Sequence, residues 1–324
     1  MRVLIFILDG AQLLDVAGPA QVVDTARLLG APYDLHFVGA ARNRTTKMGL
    51  TLAGIEPLPP PHPDDWIIVS GFSAYDPEVR RVVIRQPFAS EQELAWLQRA
   101  YQIGARISSV CSGAFALGEA GILDHRRATC HWLAIEELRK RFPLTKVVDN
   151  ALFVDDGLVI TSAGASAGID MALHLVERDH GGRMAADITR GLVLYQRRSS
   201  ADAQLSAYSC HRAHLHPGVH RAQDWMSRHV EEPATLEQLA KIARMSVRSL
   251  TREFRAVTGL SVVSYREKLK VEQARRLAAD TDLSMEEVAF RCGFGGARQL
   301  RRVWRKHQNE PIRRRPVKER RSTA

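Results

Sequence analysis

Two passages fifty residues apart constrain the last third of this 324-residue chain more than any other feature in it. LAKIARMSVRSLTREF (239–254) and VAFRCGFGGARQLRRVW (288–304) each read as a short helix, a tight break and a second helix. Leu250 and Leu300, Arg252 and Arg302, and Phe254 and Trp304 hold matching places in the two copies. In each second helix the large apolar residues fall at i, i+4, so one face is built for packing and the other is left basic. Thr235 with Gln238, and Ser284 with Glu287, have the spacing of capping boxes, and Ser246 stands ready to cap the second helix of the first copy. At the matching place in the second copy stand Gly295 and Gly296, which lack a side-chain acceptor, so a weaker helix start is expected there. SYREKLKVEQARRLAA (264–279) reads as the helix joining the copies.

Charge divides the chain in the same way. Residues 1–200 hold 21 Lys and Arg against 22 Asp and Glu; residues 201–324 hold 25 against 14. A neutral part joined to a strongly basic part suits an anionic polymer as partner of the basic part. An α-helix fits the major groove of DNA, where Arg, Gln, Ser and Thr read base edges or hold phosphates. The residues left for that work are Arg248, Ser249, Thr251, Arg252 and Arg255 in the first copy, and Arg298, Gln299, Arg301, Arg302 and Arg305 in the second. Two such helices in successive grooves on one face of the duplex would lie about 34 Å apart. The basic end, IRRRPVKERRSTA (312–324), would add non-specific phosphate attraction.

The first 195 residues have a different texture. Apolar runs at 3–8, 33–39, 65–71, 106–113 and 157–164 alternate with helical stretches at 19–30, 91–104, 114–123, 131–142 and 167–181. This alternation predicts a mostly parallel sheet covered on both faces. Ligands in such sheets sit outside the carboxyl ends of the strands, where Asp15, Cys111 and the loop 162–164 are expected to meet. Cys111 ends a strand run and precedes Ser112-Gly113 and a small-residue helix, the strand–turn–helix context of a nucleophile elbow. Its pattern supplies no adjacent base.

Between the two parts, residues 196–219 read as a polar linker. His211, His214, His216 and His220 are too loosely spaced to suggest a metal site and are expected to be solvated; no metal and no cofactor is implied. Cys111, Cys130, Cys210 and Cys292 are scattered, which suits isolated thiols in a reducing cytoplasm. Cys292 is expected to be a small buried residue before the second turn. No run of 18 apolar residues occurs, so no membrane span is expected.

The C-terminal motifs resemble the AraC/XylS family of transcriptional regulators. LAKIARMSVRSLTREFRAVTG (239–259) matches the first helix-turn-helix, KVEQARRLAADTDLSMEEVAF (270–290) the middle helix, and CGFGGARQLRRVW (292–304) the second motif, over about residues 220–311. The closing part of the family pattern is carried only by Gln308, Asn309 and Pro311, with Arg314 in place of a tyrosine. The N-terminal segments 3–24, 108–132 and 153–177 resemble the class I glutamine amidotransferase-like, or ThiJ/PfpI, domain, in particular the subset fused to AraC-type DNA-binding domains. The resemblance implies a flavodoxin-like parallel-sheet sandwich over 1–195 and an all-α domain with two helix-turn-helix motifs. It further implies sequence-specific binding to double-stranded DNA, usually as an activator with RNA polymerase as a contact and sometimes as a repressor, and a homodimer. Some fused relatives respond to arginine or to quaternary amines, which implies a small-molecule effector and a pocket formed by Asp15, Cys111, Ser112 and His131. Enzymes of the wider superfamily use the elbow cysteine, often with a histidine where this chain has Ser112. The alternative reading is therefore a hydrolase or hydratase of an amide or isonitrile using Cys111 and Asp15. A purely architectural module with an inert cysteine is a third.

Overall fold

The computed structural model describes the chain except for residues 73–74, 77–80, 83–88, 195–196, 201, 203, 205, 209, 309–311 and 313–324. Two compact units emerge, Met1–Ser200 and Ala201–Ala324. The basic segment read over 312–324, apart from Ile312, lies outside the described residues, as do Asn309, Pro311 and Arg314.

The first unit is organised around a six-stranded sheet. Its strands are β1 (Arg2–Phe6), β2 (Asp34–Val38), β3 (Trp66–Val69), β4 (Arg106–Val110), β5 (Phe153–Asp156) and β6 (Val159–Ser162), in the order β5-β6-β4-β3-β1-β2. All neighbours are parallel except β5 and β6, which form an antiparallel edge hairpin. Along β1 and just beyond it, side chains alternate between the two faces. Val3, Ile5 and Ile7 enter one core and Leu4, Phe6 and Leu8 the other, which is why the sequence shows an unbroken apolar run rather than alternation. The first core is closed by α1 (Leu13–Leu28), α5 (Ser166–His180) and α6 (Gly182–Gly191). The second is closed by α2 (Glu91–Gln102), α3 (Gly113–Glu119) and α4 (Ile135–Arg141). Helix α1 starts six residues earlier than the expected 19, because Pro19 is accommodated inside it. Helix α6 was not read from sequence: Gly181 and Gly182 obscure its start, and only Ala185 and Ile188 are buried.

The second unit is helical: α7 (Pro217–Arg228), α8 (Leu236–Ala243), α9 (Val247–Thr258), α10 (Val262–Asp280), α11 (Met285–Arg291) and α12 (Ala297–His307). One core gathers α7, α8, α9 and the start of α10; another gathers the rest of α10 with α11 and α12. The stretch expected as a linker differs in structure from a solvated tether. Asp202 is buried and accepts from Arg276 Nε at 2.7 Å, and Ser206 Oγ donates to Glu272 Oε1 at 2.6 Å. Ala207 lies in the first helical core. The histidines are likewise structural rather than solvated: His214 stacks on His220 with centroids 4.3 Å apart, and His216 Nδ1 caps α7, which begins at Pro217 rather than 221. Polar composition hid this packing because it is made by ion pairs and caps, which leave no apolar periodicity. Among the described residues no group of three or more His, Cys, Asp or Glu is placed to hold a metal, and no helix is long and apolar enough to cross a membrane.

Candidate functional sites

At the carboxyl ends of β1, β3, β4 and β6, four neighbouring strands, the chain brings together Asp15, Gly71, Cys111 and Gly164. Cys111 holds φ 57°, a left-handed conformation unusual for a residue with a Cβ, and its N–H donates to Ser162 O at 3.0 Å. This is the sharp turn of an elbow between β4 and α3. Two glycines make room for it. A Cβ on Gly164, whose φ is +96°, would lie 2.3 Å from Cys111 Cβ and 2.7 Å from its Sγ; a Cβ on Gly71 would lie 2.3 Å from Asp15 Oδ2 and 2.7 Å from Cys111 Cβ. The four residues are in van der Waals contact through backbone that admits no side chain.

Asp15, in the first turn of α1, is 1% exposed. Its Oδ1 accepts from Ala165 N at 2.7 Å and so holds a turn in which Ala165 has φ 47°. Oδ2 is sealed from water and accepts no well-directed hydrogen bond, although the Cys111 thiol is close enough to act on the carboxyl's charge. Burial raises the Asp15 pKa to about 6, against the lowering effect of the Ala165 N–H and the thiol. Cys111 is pushed far above the ordinary thiol range, first by burial and then by the Asp15 charge. The elbow therefore holds a neutral thiol, the reverse of the activation that a nucleophilic cysteine needs.

Ser112 and His131 take other places. Ser112 Oγ donates to Phe72 O at 2.6 Å and accepts from Phe72 N at 2.8 Å, so its hydroxyl clamps the loop after β3. His131 begins a 3₁₀ turn at Trp132–Ala134; its Nδ1 accepts from Leu133 N at 3.4 Å and its ring tilts over Trp132. Burial lowers its pKa. The adjoining Cys130 is fully buried, and burial holds it well above the ordinary thiol range. Asp15, Cys111 and Ser112 thus share one corner, whereas His131 is fixed by its own turn.

The second candidate site is the basic surface of α9 and α12. In α9, Leu250 and Phe254 are fully buried, while Arg248, Thr251, Arg252 and Arg255 are exposed and line one open depression. Ser249 is half-buried and accepts from Ser246 Oγ at 2.9 Å, and Arg252 pairs with Glu253 at 2.7 Å. In α12, Leu300 and Trp304 are buried and Arg298, Gln299, Arg301, Arg302 and Arg305 are exposed. Three arginines of α9 recur at the same helical phase in α12: 248, 252 and 255 become 298, 302 and 305. The capping boxes at Thr235 and Ser284 and the Ser246 cap form as the spacing requires.

The weak start expected for α12 is replaced by a different solution. Ala297 N donates to Glu286 Oε2 at 2.8 Å, and Gly295 N donates to Gln299 Oε1 at 2.6 Å, so side chains from α11 and from α12 itself serve as caps. Gly296 has φ +149°, which side-chain-bearing residues avoid. A serine there would not restore a cap; Gly296→Ser is expected to weaken the second motif by about 1 kcal/mol, seen as a lower melting temperature of the helical unit. Glu286, eleven residues from the N–H it caps, could not be found from local spacing.

Comparisons with known proteins agree with this division. Residues 239–314 match a helix-turn-helix domain family and residues 85–178 the DJ-1/PfpI family. The HTH-type transcriptional regulator CdhR of Pseudomonas aeruginosa is 33% identical over 210 residues, which cover 65% of this chain and 62% of that protein. The HTH-type transcriptional regulator GbdR of the same species is 30% identical over 228 residues, 70% of this chain and 62% of that protein. The chain thus spans less than two thirds of the length of either relative. Among solved structures, a Vibrio parahaemolyticus protein described as a transcriptional regulator superposes with a TM-score of 0.50 at 16% identity, over 59% of this chain and 98% of its own, and shares the fold. The chain thus joins a DJ-1/PfpI-like sandwich to a helical unit that matches a helix-turn-helix domain family, and over both parts it is similar to HTH-type transcriptional regulators.

Proposed function

We propose that this protein is a sequence-specific DNA-binding transcriptional regulator, an activator, whose N-terminal unit binds a small metabolite. The observation that carries the reading is the repeated triplet of exposed arginines on α9 and α12, each set on a helix anchored by a buried i, i+4 pair. Both helices present cations at the same phase, as two grips on one polyanion require. Double-stranded DNA is the partner, through Arg248, Ser249, Thr251, Arg252, Arg255, Arg298, Gln299, Arg301, Arg302 and Arg305. A homodimer in the cytoplasm, in contact with RNA polymerase, completes the reading.

The effector, an amino acid or quaternary amine in keeping with the family resemblance, binds at the strand ends beside Asp15, Cys111, Ser112 and His131. Coupling requires that it bind two states of the protein with different affinity. Catalysis by Cys111 is disfavoured by its neutral, buried thiol, and the relatives compared above carry the names of regulators. On this reading Cys111 is a wall of the effector pocket.

Selection of genomic fragments by the purified protein tests the proposal. Binding should exceed the non-specific level and fall steeply with salt. Arg252→Ala and Arg302→Ala should each cost about 1–3 kcal/mol and relax base preference in their own half-site. Cys111→Ser should leave DNA binding intact. Recovery of no preferred duplex, with or without candidate metabolites, would sink the reading.

A further inference from the structure

The two helix-turn-helix units share α10. Tyr265 and Leu269 belong to the core of the first unit, and Val271 and Ala274 to the core of the second. Lys270 lies at the changeover. Its Nζ donates to Gly293 O, in the turn between α11 and α12, at 2.5 Å and sits 5.3 Å from the centre of the Phe294 ring. One turn earlier, Arg266 donates to Ala234 O at 3.0 Å and to Glu232 O, in the loop that precedes α8. That loop and the turn at Gly293 also touch each other: a Cβ on Gly293, whose φ is +67°, would lie 2.2 Å from Glu231 O and 2.8 Å from Lys270 Nζ.

A single shared helix transmits bending and twisting between the bodies at its two ends. A second connection off the helix axis removes that freedom, because rotation about α10 would then break carbonyl bonds and part closely packed backbone. We propose that the joint at Lys270, Arg266 and Gly293 locks the two helix-turn-helix units in one setting, so that the protein accepts only one spacing between the halves of its DNA site. The Lys270 ammonium is half-buried and its pKa falls to about 8, first through burial and then through the charge of Arg266. Two cations are thus held together at a cost in solvation, with backbone carbonyls as their compensation. The inference rests on the DNA-binding reading for its consequence; the rigidity itself does not.

The experiment uses the full chain with spin labels at Ala256→Cys and Arg305→Cys, both exposed and away from the joint. Cys210, the exposed native cysteine, is replaced by serine; the other three are buried. Without DNA, the distance between labels should have one narrow distribution. Lys270→Met, which keeps the apolar stem and removes the ammonium, should broaden it, and Arg266→Gln, a second route to the same loss, should do likewise. A broad distribution in the unsubstituted chain, or equal widths in all three proteins, overturns the joint. Duplexes taken from the selected site, with one base pair added or removed between the halves, read the consequence. Each step rotates the halves by about 35°, and affinity of the unsubstituted chain should fall about tenfold. Lys270→Met should lose less on this change while binding the parent duplex more weakly. Equal tolerance of spacing in both proteins overturns the proposal. The label distances need no DNA, so failure of the joint and failure of the DNA-binding reading are told apart.

Discussion

Gly164→Ala is expected to destabilise the N-terminal unit by about 3 kcal/mol or more. Two costs add. The residue holds φ +96°, which strains any L side chain, and its Cβ would penetrate Cys111, 2.3 Å from Cβ and 2.7 Å from Sγ. The obstacle is the stem of a residue itself fixed in a left-handed turn, so it cannot swing aside as a long flexible side chain would. In a unit of this size the loss should lower the melting temperature by about 10 °C. Calorimetry of the full chain checks this, since the helical unit should melt as before. Cys111→Gly in the same background removes Cβ and Sγ, leaves only the backbone Cα at 2.8 Å, suits φ 57° and should recover part of the loss, a coupling expected only between residues in direct contact. A variant that melts within a degree of the unsubstituted chain would show that the elbow is not packed in this way.

Asp15→Asn should have the opposite sign. The folded-state pKa of Asp15 is raised to about 6 from an ordinary 3.8, with burial as the largest cause. A carboxyl raised in this way contributes its full stability below the unfolded pKa and loses it as pH rises through the folded one. The difference between variant and unsubstituted chain should therefore be near zero at pH 3.5 and grow between about pH 4 and 6. Above pH 7 it should level off at an upper bound of about 3 kcal/mol in favour of asparagine. The asparagine Oδ1 can still accept from Ala165 N, so the turn at 164–165 is kept while the buried charge is removed. Denaturant titration of both proteins across this range checks the prediction; a difference independent of pH would place the charge elsewhere. A carboxylate retained at such a cost, beside a thiol, supports the proposed effector site. If the proposed effector is cationic, the same substitution should weaken its binding.

The sequence by itself determined the elements that repeat or run apolar. Central strands such as β1 and β3 are legible because burial on both faces makes them unbroken hydrophobic runs, as Val3 to Leu8 shows. The paired motifs are legible because Leu250 with Phe254, and Leu300 with Trp304, follow the helical period and their caps act over three residues. The elbow was legible as well, since the strand, Cys111 and small-residue helix are contiguous.

Tertiary structure decided whatever depends on residues distant in the chain. It showed that Asp15 acts on Ala165, 150 residues away, and that the Ser112 hydroxyl clamps Phe72. It turned Gly296 from a missing cap into a required conformation served by Glu286, and the expected linker into a packed strap held by Arg276 and Glu272. Local spacing encodes what is settled within a turn of helix or the length of a strand. The pKa of Asp15, the room beside Cys111 and the lock at Lys270 depend on which backbone passes nearby, and only the folded chain brings those backbones together.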